Sequence, residues 1–170
     1  MIESIDTHRR GFLSRLSKPV QSLNASAEQS KREAPRPPNA VDEALFLRLC
    51  NGCGECQQVC PNSVIEMNDE RARLNLDYNQ CTFCNECTKV CPTGALHASQ
   101  PEQINLRPSF SASCNNCLDI DCQLCALACQ QSAIEIETGE TPEVDNSQCN
   151  GCGQCRGHCY LGAITMRFIP

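Results

Sequence analysis

Apolar residues in this chain arrive in short pulses, and four of the pulses are copies of one another. Pro61-Asn-Ser-Val-Ile-Glu66, Pro92-Thr-Gly-Ala-Leu-His97, Gln130-Gln-Ser-Ala-Ile-Glu135 and Tyr160-Leu-Gly-Ala-Ile-Thr165 align without gaps. Each has Ser or Gly, then Ala or Val, then Ile or Leu, and an internal repeat of this kind argues for structural equivalence. Each copy predicts a brief strand followed by a turn. Val64–Met67 is expected to pair with Leu74–Asp77 across residues 68–73, and Ile134–Ile136 with Pro142–Asp145 across residues 138–141. Val41–Leu49 is a further short apolar segment, and Phe12, Leu16, Val20 and Leu23 share helical spacing that Pro19 interrupts. No run approaches the roughly eighteen apolar residues of a membrane helix.

Cysteines precede every one of the four pulses. Cys50, Cys53, Cys56 and Cys60 stand at gaps of two, two and three residues and are followed by Pro61. The spacing returns as Cys81, Cys84, Cys87 and Cys91 before Pro92, and as Cys149, Cys152, Cys155 and Cys159 before Tyr160. A distorted copy between them holds Cys114, Cys117, Cys122, Cys125 and Cys129. This is the bacterial ferredoxin pattern for a cubane iron–sulfur cluster. Each iron is tetrahedral and takes one thiolate. Two-residue gaps let a short loop present three thiolates to one face of the cube while its backbone N–H groups point at the sulfides. The fourth iron is out of reach and needs a distant cysteine, so such motifs come in pairs.

The ferredoxin crossing rule, carried over motif by motif, implies four ligand sets and four 4Fe-4S clusters. Cys50, Cys53 and Cys56 share one cluster with Cys91. Cys81, Cys84 and Cys87 share another with Cys60, and Cys149, Cys152 and Cys155 share one with Cys129. The last takes Cys114, Cys125 and Cys159 plus either Cys122 or Cys117; Cys122 is preferred because it keeps the close spacing of the final three thiols. Asp119 and Asp121 in the irregular loop add negative charge beside that site, which disfavours reduction and predicts the lowest potential of the four.

Composition supports this chemistry over its rivals. The chain has 170 residues and 17 cysteines, aromatics make up 4% and Trp is absent, so the apolar core is thin. Metal ligation can supply the missing folding free energy, and apo protein is expected to be largely unfolded. A disulfide framework fits poorly with an odd cysteine count, regular spacing and no apolar signal segment ahead of the cysteines. Structural zinc has no use for a third thiol at the same gap. His158 reads as a surface histidine beside a loop, and no phosphate loop, nucleophile elbow or histidine–carboxylate site suggests an enzyme.

Net charge is −6, unevenly spread. Residues 1–40 hold seven Lys/Arg against four Asp/Glu, or +3, and the remaining 130 hold seven against sixteen, or −9. An acidic body makes nucleic acid an unsuitable partner. The expected fold class is α+β: a disordered basic arm over residues 1–40, a two-cluster ferredoxin module over 41–98, a linker over 99–113 containing Pro101 and Pro108, and a second two-cluster module over 114–170. Within the arm, Lys31–Pro38 is expected to be extended and poorly packed. Arg9, Arg10, Phe12 and Leu13 look like a twin-arginine export motif, but the apolar stretch of about 7–15 residues that should follow is missing. The arm reads first as a solvated basic tail, and second as a partner-docking segment carried by these four residues.

The four motifs, the wide third one, the arm Arg9-Arg10-Gly11-Phe12-Leu13 and the step Arg36-Pro-Pro38 together resemble NapF, the ferredoxin-type proteins of periplasmic nitrate reductase systems. The resemblance implies a cytoplasmic accessory protein. It would act on the molybdenum-containing nitrate reductase catalytic subunit in its precursor form, before export, by electron transfer or by helping with its iron–sulfur centre. Two alternatives remain: a general electron carrier or electron-wire subunit of an oxidoreductase complex, and a binding module whose clusters are structural. Deleting residues 1–40 is expected to separate carrier from accessory factor.

Overall fold

A computed structural model describes residues 31–118 and 120–170. Arg9, Arg10, Phe12 and Leu13, the stripe from Phe12 to Leu23, and Asp119 lie outside the described residues.

The end of the segment expected to be poorly packed is instead part of the core, while Lys31 and Glu33 are exposed. Residues 36–41 are buried, with Pro37 and Pro38 among the most enclosed side chains. Their backbone is threaded between two other stretches. The Leu74 N–H donates to the Pro35 carbonyl at 2.8 Å, the Val41 N–H to Ala95 at 3.1 Å and the His97 N–H to Asn39 at 2.8 Å. The two prolines hold the chain extended and donate nothing, so burying them leaves no orphaned N–H. Arg36 anchors the segment. Its Nη2 meets Glu43 Oε1 at 2.6 Å, its Nη1 donates to the Ala72 carbonyl at 3.0 Å, and its guanidinium lies 4.6 Å from the Phe46 ring centre. Asn39 adopts a left-handed φ of 61°, which Asn tolerates, and its side chain donates to the Gln100 carbonyl at 2.8 Å.

Helix α1 spans Glu43–Leu49, with Asp42 accepting from the Leu45 N–H as its cap, and delivers the chain to Cys50. After the first motif, helix α2 (Glu55–Gln58) leads to a hairpin of β1 (Ile65–Asn68) and β2 (Arg71–Leu74), in register Ile65 opposite Leu74. The hairpin is tighter than the sequence suggested. Asp69 and Glu70 both take positive φ, 48° and 58°, so a two-residue turn replaces the longer loop and brings the second strand forward to Arg71. Helix α3 (Glu86–Lys89) carries the second motif.

The stretch expected as a linker also holds structure. Leu106–Phe110 is strand β3, which pairs antiparallel with the C-terminal strand described below. Pro108 does not break it, because a proline is tolerated in a strand of a two-stranded ladder that has a free edge. A 3-10 turn follows at Asn116–Leu118, then helix α4 (Leu124–Ala128), strands β4 (Ile134–Glu135) and β5 (Glu143–Val144), helix α5 (Gln154–Gly157) and strand β6 (Ile164–Phe168). Strands β4 and β5 pair with Ile134 opposite Val144, as the sequence pattern predicts. Strands β3 and β6 match Leu106 to Phe168 and Phe110 to Ile164.

Buried apolar residues form two clusters. One is built on Phe46, Val64, Ile65, Leu74, Leu76 and Ile104, the other on Cys125, Ile134, Cys155 and Ile164. The β3–β6 ladder serves both: Leu106, Met166 and Phe168 pack into the first, Phe110 and Ile164 into the second. Contact between the halves is tightened at the fourth motif. The Ile104 N–H donates to the Asn150 carbonyl at 2.9 Å, and a Cβ placed on Gly151 would come within 2.4 Å of the Ile104 carbonyl oxygen.

Candidate metal centre

In three motifs the loop is curled the same way. The residue before the second cysteine and the residue after it both take left-handed φ: Gly52 and Gly54, Phe83 and Asn85, Gly151 and Gly153, at 73° and 78°, 52° and 62°, 80° and 79°. Alternating left-handed residues fold the chain around a concave face lined by N–H groups. A bulky Phe83 in that conformation is strained and marks a position held by its surroundings. The third motif lacks the pattern; Gln123, which caps α4, has φ −117°. All four motifs nonetheless end in a short helix that buries its third cysteine, namely Cys56, Cys87, Cys125 and Cys155.

The tails are equivalent at the backbone. Ser63, Gly94, Ser132 and Gly162 all have positive φ, between 50° and 72°. Each is followed by a buried small residue and a buried aliphatic one, Val64-Ile65, Ala95-Leu96, Ala133-Ile134 and Ala163-Ile164. This turn aims backbone N–H groups at sulfur: Leu96 donates to Cys91 Sγ at 3.4 Å and Ala133 to Cys129 Sγ at 3.3 Å.

The thiols ring cavities. One of about 340 Å³, counting its open mouth, is lined by Cys50, Cys53, Cys56 and Cys91 under Phe46 and Leu96. A second of about 350 Å³ is lined by Cys60, Cys81, Cys84 and Cys87 with Phe83 and Pro61. A third of about 360 Å³ is lined by Cys114, Cys122, Cys125 and Cys159 with Phe110 and Tyr160. Cys149, Cys152 and Cys129 are also close neighbours, since the charges of Cys149 and Cys129 act on Cys152. Cys117 does not line this third cavity; its sulfur is 3.5 Å from Thr141 Oγ1. Among the described residues no three His, Cys, Asp or Glu side chains converge tightly enough to chelate a single ion. Four sulfurs spaced around a cavity suit a cubane in which each of four irons takes one thiolate, and do not suit one zinc.

Without metal these sites are electrostatically unfavourable. Burial pushes the Cys56 thiol up to about 11, and the neighbouring Cys87, Cys50, Cys53 and Cys91 add to it. Burial likewise takes Cys81 and Cys155 up to about 12. Burial would raise Cys91 too, but the Leu96 N–H and the Thr93 hydroxyl outweigh it and leave that thiol lowered. Bound metal reverses this balance, because a coordinating thiol is deprotonated outright.

The four groups also lie in series. Helix α2 packs on α3 and puts Cys56 and Cys87 in one buried cluster, and α4 packs on α5 and puts Cys125 and Cys155 in the other. Between the halves, the Cys81 N–H donates to the Cys152 carbonyl at 2.9 Å. His158 stands exposed and donates through Nδ1 to the Gln154 carbonyl at 2.9 Å. The signal for the sulfur-directed N–H groups was present in the repeated Ser-or-Gly of each tail. The Arg36–Glu43 anchor left no recognisable pattern. Among the described residues no helix is long and apolar enough to cross a membrane.

Comparison with known proteins agrees with this chemistry. Residues 49–95 match the family described as a 4Fe-4S dicluster domain. An uncharacterized protein of Haemophilus influenzae is 43% identical over 159 residues, which cover 94% of this chain and 90% of that one. The ferredoxin-type protein NapF of the same organism is 35% identical over 136 residues, 77% of each chain. The methylamine utilization ferredoxin-type protein MauM of Methylorubrum extorquens is 32% identical over 171 residues, covering 85% of this chain and 76% of its own. The chain therefore belongs to the ferredoxin-type 4Fe-4S family, whose members carry electrons or assist other proteins and are not enzymes.

Proposed function

We propose that this chain is a cytoplasmic electron-transfer accessory protein built from two tandem two-cluster modules. It holds four 4Fe-4S clusters through Cys50/Cys53/Cys56/Cys91, Cys81/Cys84/Cys87/Cys60, Cys114/Cys122/Cys125/Cys159 and Cys149/Cys152/Cys155/Cys129. When bound, such clusters supply one-electron redox chemistry. The chain's own residues hold them close together in one series, exclude water with Phe46, Phe83 and Phe110, and direct N–H groups at the sulfurs. The observation that carries the reading is this series, joined across the halves by the Cys81–Cys152 hydrogen bond. A purely structural role needs no such continuity.

The NapF relatives support a client in a nitrate reductase system, namely the molybdenum-containing catalytic subunit in its precursor form, engaged through Arg9, Arg10, Phe12 and Leu13. The MauM relatives favour a second reading, in which the same scaffold serves another oxidoreductase system as a general carrier. The discriminating truncation must stop at residue 30, because removing residues 36–40 would also remove core. Anaerobic capture from cytoplasm should recover the precursor with the full chain and lose it with residues 1–30 deleted. Capture of mature redox enzymes alone, unaffected by the deletion, would overturn the accessory role.

A further inference from the structure

The internal repeat exposes one place where surface chemistry departs from the rest. The residue just after the cap of each short helix is polar in three copies, Glu55 in α2, Glu86 in α3 and Gln154 in α5, but is the exposed Leu124 in α4. Three residues on, the positions hold Gln58, Lys89 and Gly157, but Leu127 in α4, which is 79% exposed. The tails behave likewise. Pro61-Asn62, Pro92-Thr93 and Gln130-Gln131 correspond to Tyr160-Leu161, where both residues are apolar and exposed.

Three of these exceptions come from different copies yet meet in space: Leu124, Tyr160 and Leu161 all line the cavity ringed by Cys114, Cys122, Cys125 and Cys159, and Leu127 follows three residues after Leu124 in the same helix. Leu118 and Ile120 are also exposed; their N–H groups both donate to the Asn115 carbonyl, and the Asn115 side chain in turn donates to the Tyr160 hydroxyl. An apolar patch concentrated at one site marks an interaction surface. Its surroundings are acidic. Between Arg107 and Arg156 the chain has seven carboxylates and no Lys or Arg. The buried Asn116 side chain donates to the carbonyls of Glu137 and Glu140, at 2.6 and 2.7 Å, and so brings that acidic loop against the turn that bears Leu118.

We propose that this face docks a redox-partner protein whose own centre lies under an apolar surface ringed by Lys or Arg. The inference rests on the electron-carrier reading and adds to it the end of the series at which exchange occurs. The Cys114 group is terminal, since α4 packs on α5 with Cys125 and Cys155 in one buried cluster, and Cys81 bonds the fourth motif to the first half. The root of the N-terminal arm lies at the other end, where Arg32 and Arg36 bind Glu43 next to Phe46 and the Cys50 cavity. A separate protein, with charge opposite to this rim, is therefore the occupant. One electron passes from the reduced site behind Leu124 and Tyr160 to the partner's oxidised centre, and no bond or proton is exchanged.

The test uses holo protein reduced with dithionite and, as probe, a small basic haem protein whose exposed haem edge is ringed by lysines. Rates of haem reduction are followed by stopped flow, and carbodiimide cross-links between carboxylates and probe lysines are mapped by mass spectrometry. Leu127→Lys should slow electron transfer about tenfold, flatten its salt dependence and remove cross-links at Asp121, Glu137 and Glu140. Tyr78→Lys, at an exposed site on the first half, should change none of these. Equal rates in the two variants, or cross-links concentrated at Glu55 and Glu86, would overturn the proposal. A wild-type protein with full iron content that passes no electrons would defeat the carrier reading instead, and the cross-link map would still report the surface.

Discussion

The backbone N–H of Cys81 donates to the carbonyl of Cys152 at 2.9 Å, so the second motif is bonded directly to the fourth. Gly151, the neighbour of Cys152, keeps that contact close: its φ is 80°, and a Cβ there would lie 2.4 Å from the Ile104 carbonyl oxygen and 2.7 Å from that of Leu106. Gly151→Ala combines backbone strain with a clash against two carbonyls and should cost about 3 kcal/mol. Gly162→Ala, at φ 63° with open space around it, should cost about 1 kcal/mol, since Ser63 and Ser132 already carry side chains at the equivalent turn. Anaerobic urea denaturation of the holo proteins measures both. Equal costs would mean that the approach of Gly151 to β3 does not matter.

Cys117 and Cys122 compete for one ligand position, and their surroundings differ. Cys122 lines the cavity with Cys114, Cys125 and Cys159, whereas Cys117 Sγ sits by Thr141 Oγ1 at 3.5 Å. Cys117→Ser should leave iron and sulfide content unchanged. Cys122→Ser should lose or degrade one cluster, seen by iron analysis and paramagnetic resonance; the reverse result would exchange their roles.

Glu43 and Arg36 form an enclosed ion pair at 2.6 Å. Removing one partner leaves the other buried without compensation, so Glu43→Gln should destabilise the protein by about 3 kcal/mol at neutral pH. Burial alone would raise the Glu43 carboxyl, but hydrogen bonds and charge from Arg36, with help from Arg32, outweigh it and hold the group below its ordinary 4.5. A depressed carboxylate contributes stability that is present above its unfolded value and lost as pH falls through the folded one. The difference between wild type and Glu43→Gln in urea denaturation should therefore be constant from neutral pH down to that ordinary value and shrink only below it. A difference that vanished between pH 7 and that value would be inconsistent with the pairing.

Asp121 is exposed immediately before Cys122. Its negative charge opposes reduction there, so Asp121→Asn should raise the potential of the site held by Cys114, Cys122, Cys125 and Cys159. The rise should be on the order of tens of millivolts, as for one solvent-screened charge nearby. Redox titration monitored by paramagnetic resonance measures it, and a fall would reverse the electrostatic reasoning.

Much of this was legible in the sequence, because ligand spacing is a covalent constraint. The gaps in Cys50–Cys60 and its copies dictate a loop, and the repeated Ser or Gly announces the left-handed turn at residues 63, 94, 132 and 162. The hairpin of residues 134–136 with 142–145 followed from the turn residues between them, and β4 and β5 pair within those bounds. What stayed hidden depended on partners remote in sequence. Arg36-Pro37-Pro38 has the composition of a linker, and only Glu43, Phe46 and Ala72 turn it into core. Likewise Leu106–Phe110 reads as a proline-broken spacer until β6 supplies its hydrogen bonds. The Asp69–Glu70 turn was missed because neither residue is the glycine that usually marks such a turn.

The central claim is that sixteen of the seventeen cysteines form four sets that each hold a cubane. Native mass spectrometry of anaerobically prepared protein tests it most directly. We expect the mass of the chain plus four 4Fe-4S units, falling by one unit in Cys122→Ser and by none in Cys117→Ser. A wild-type mass that saturates at two units, or that fits zinc ions, would contradict it.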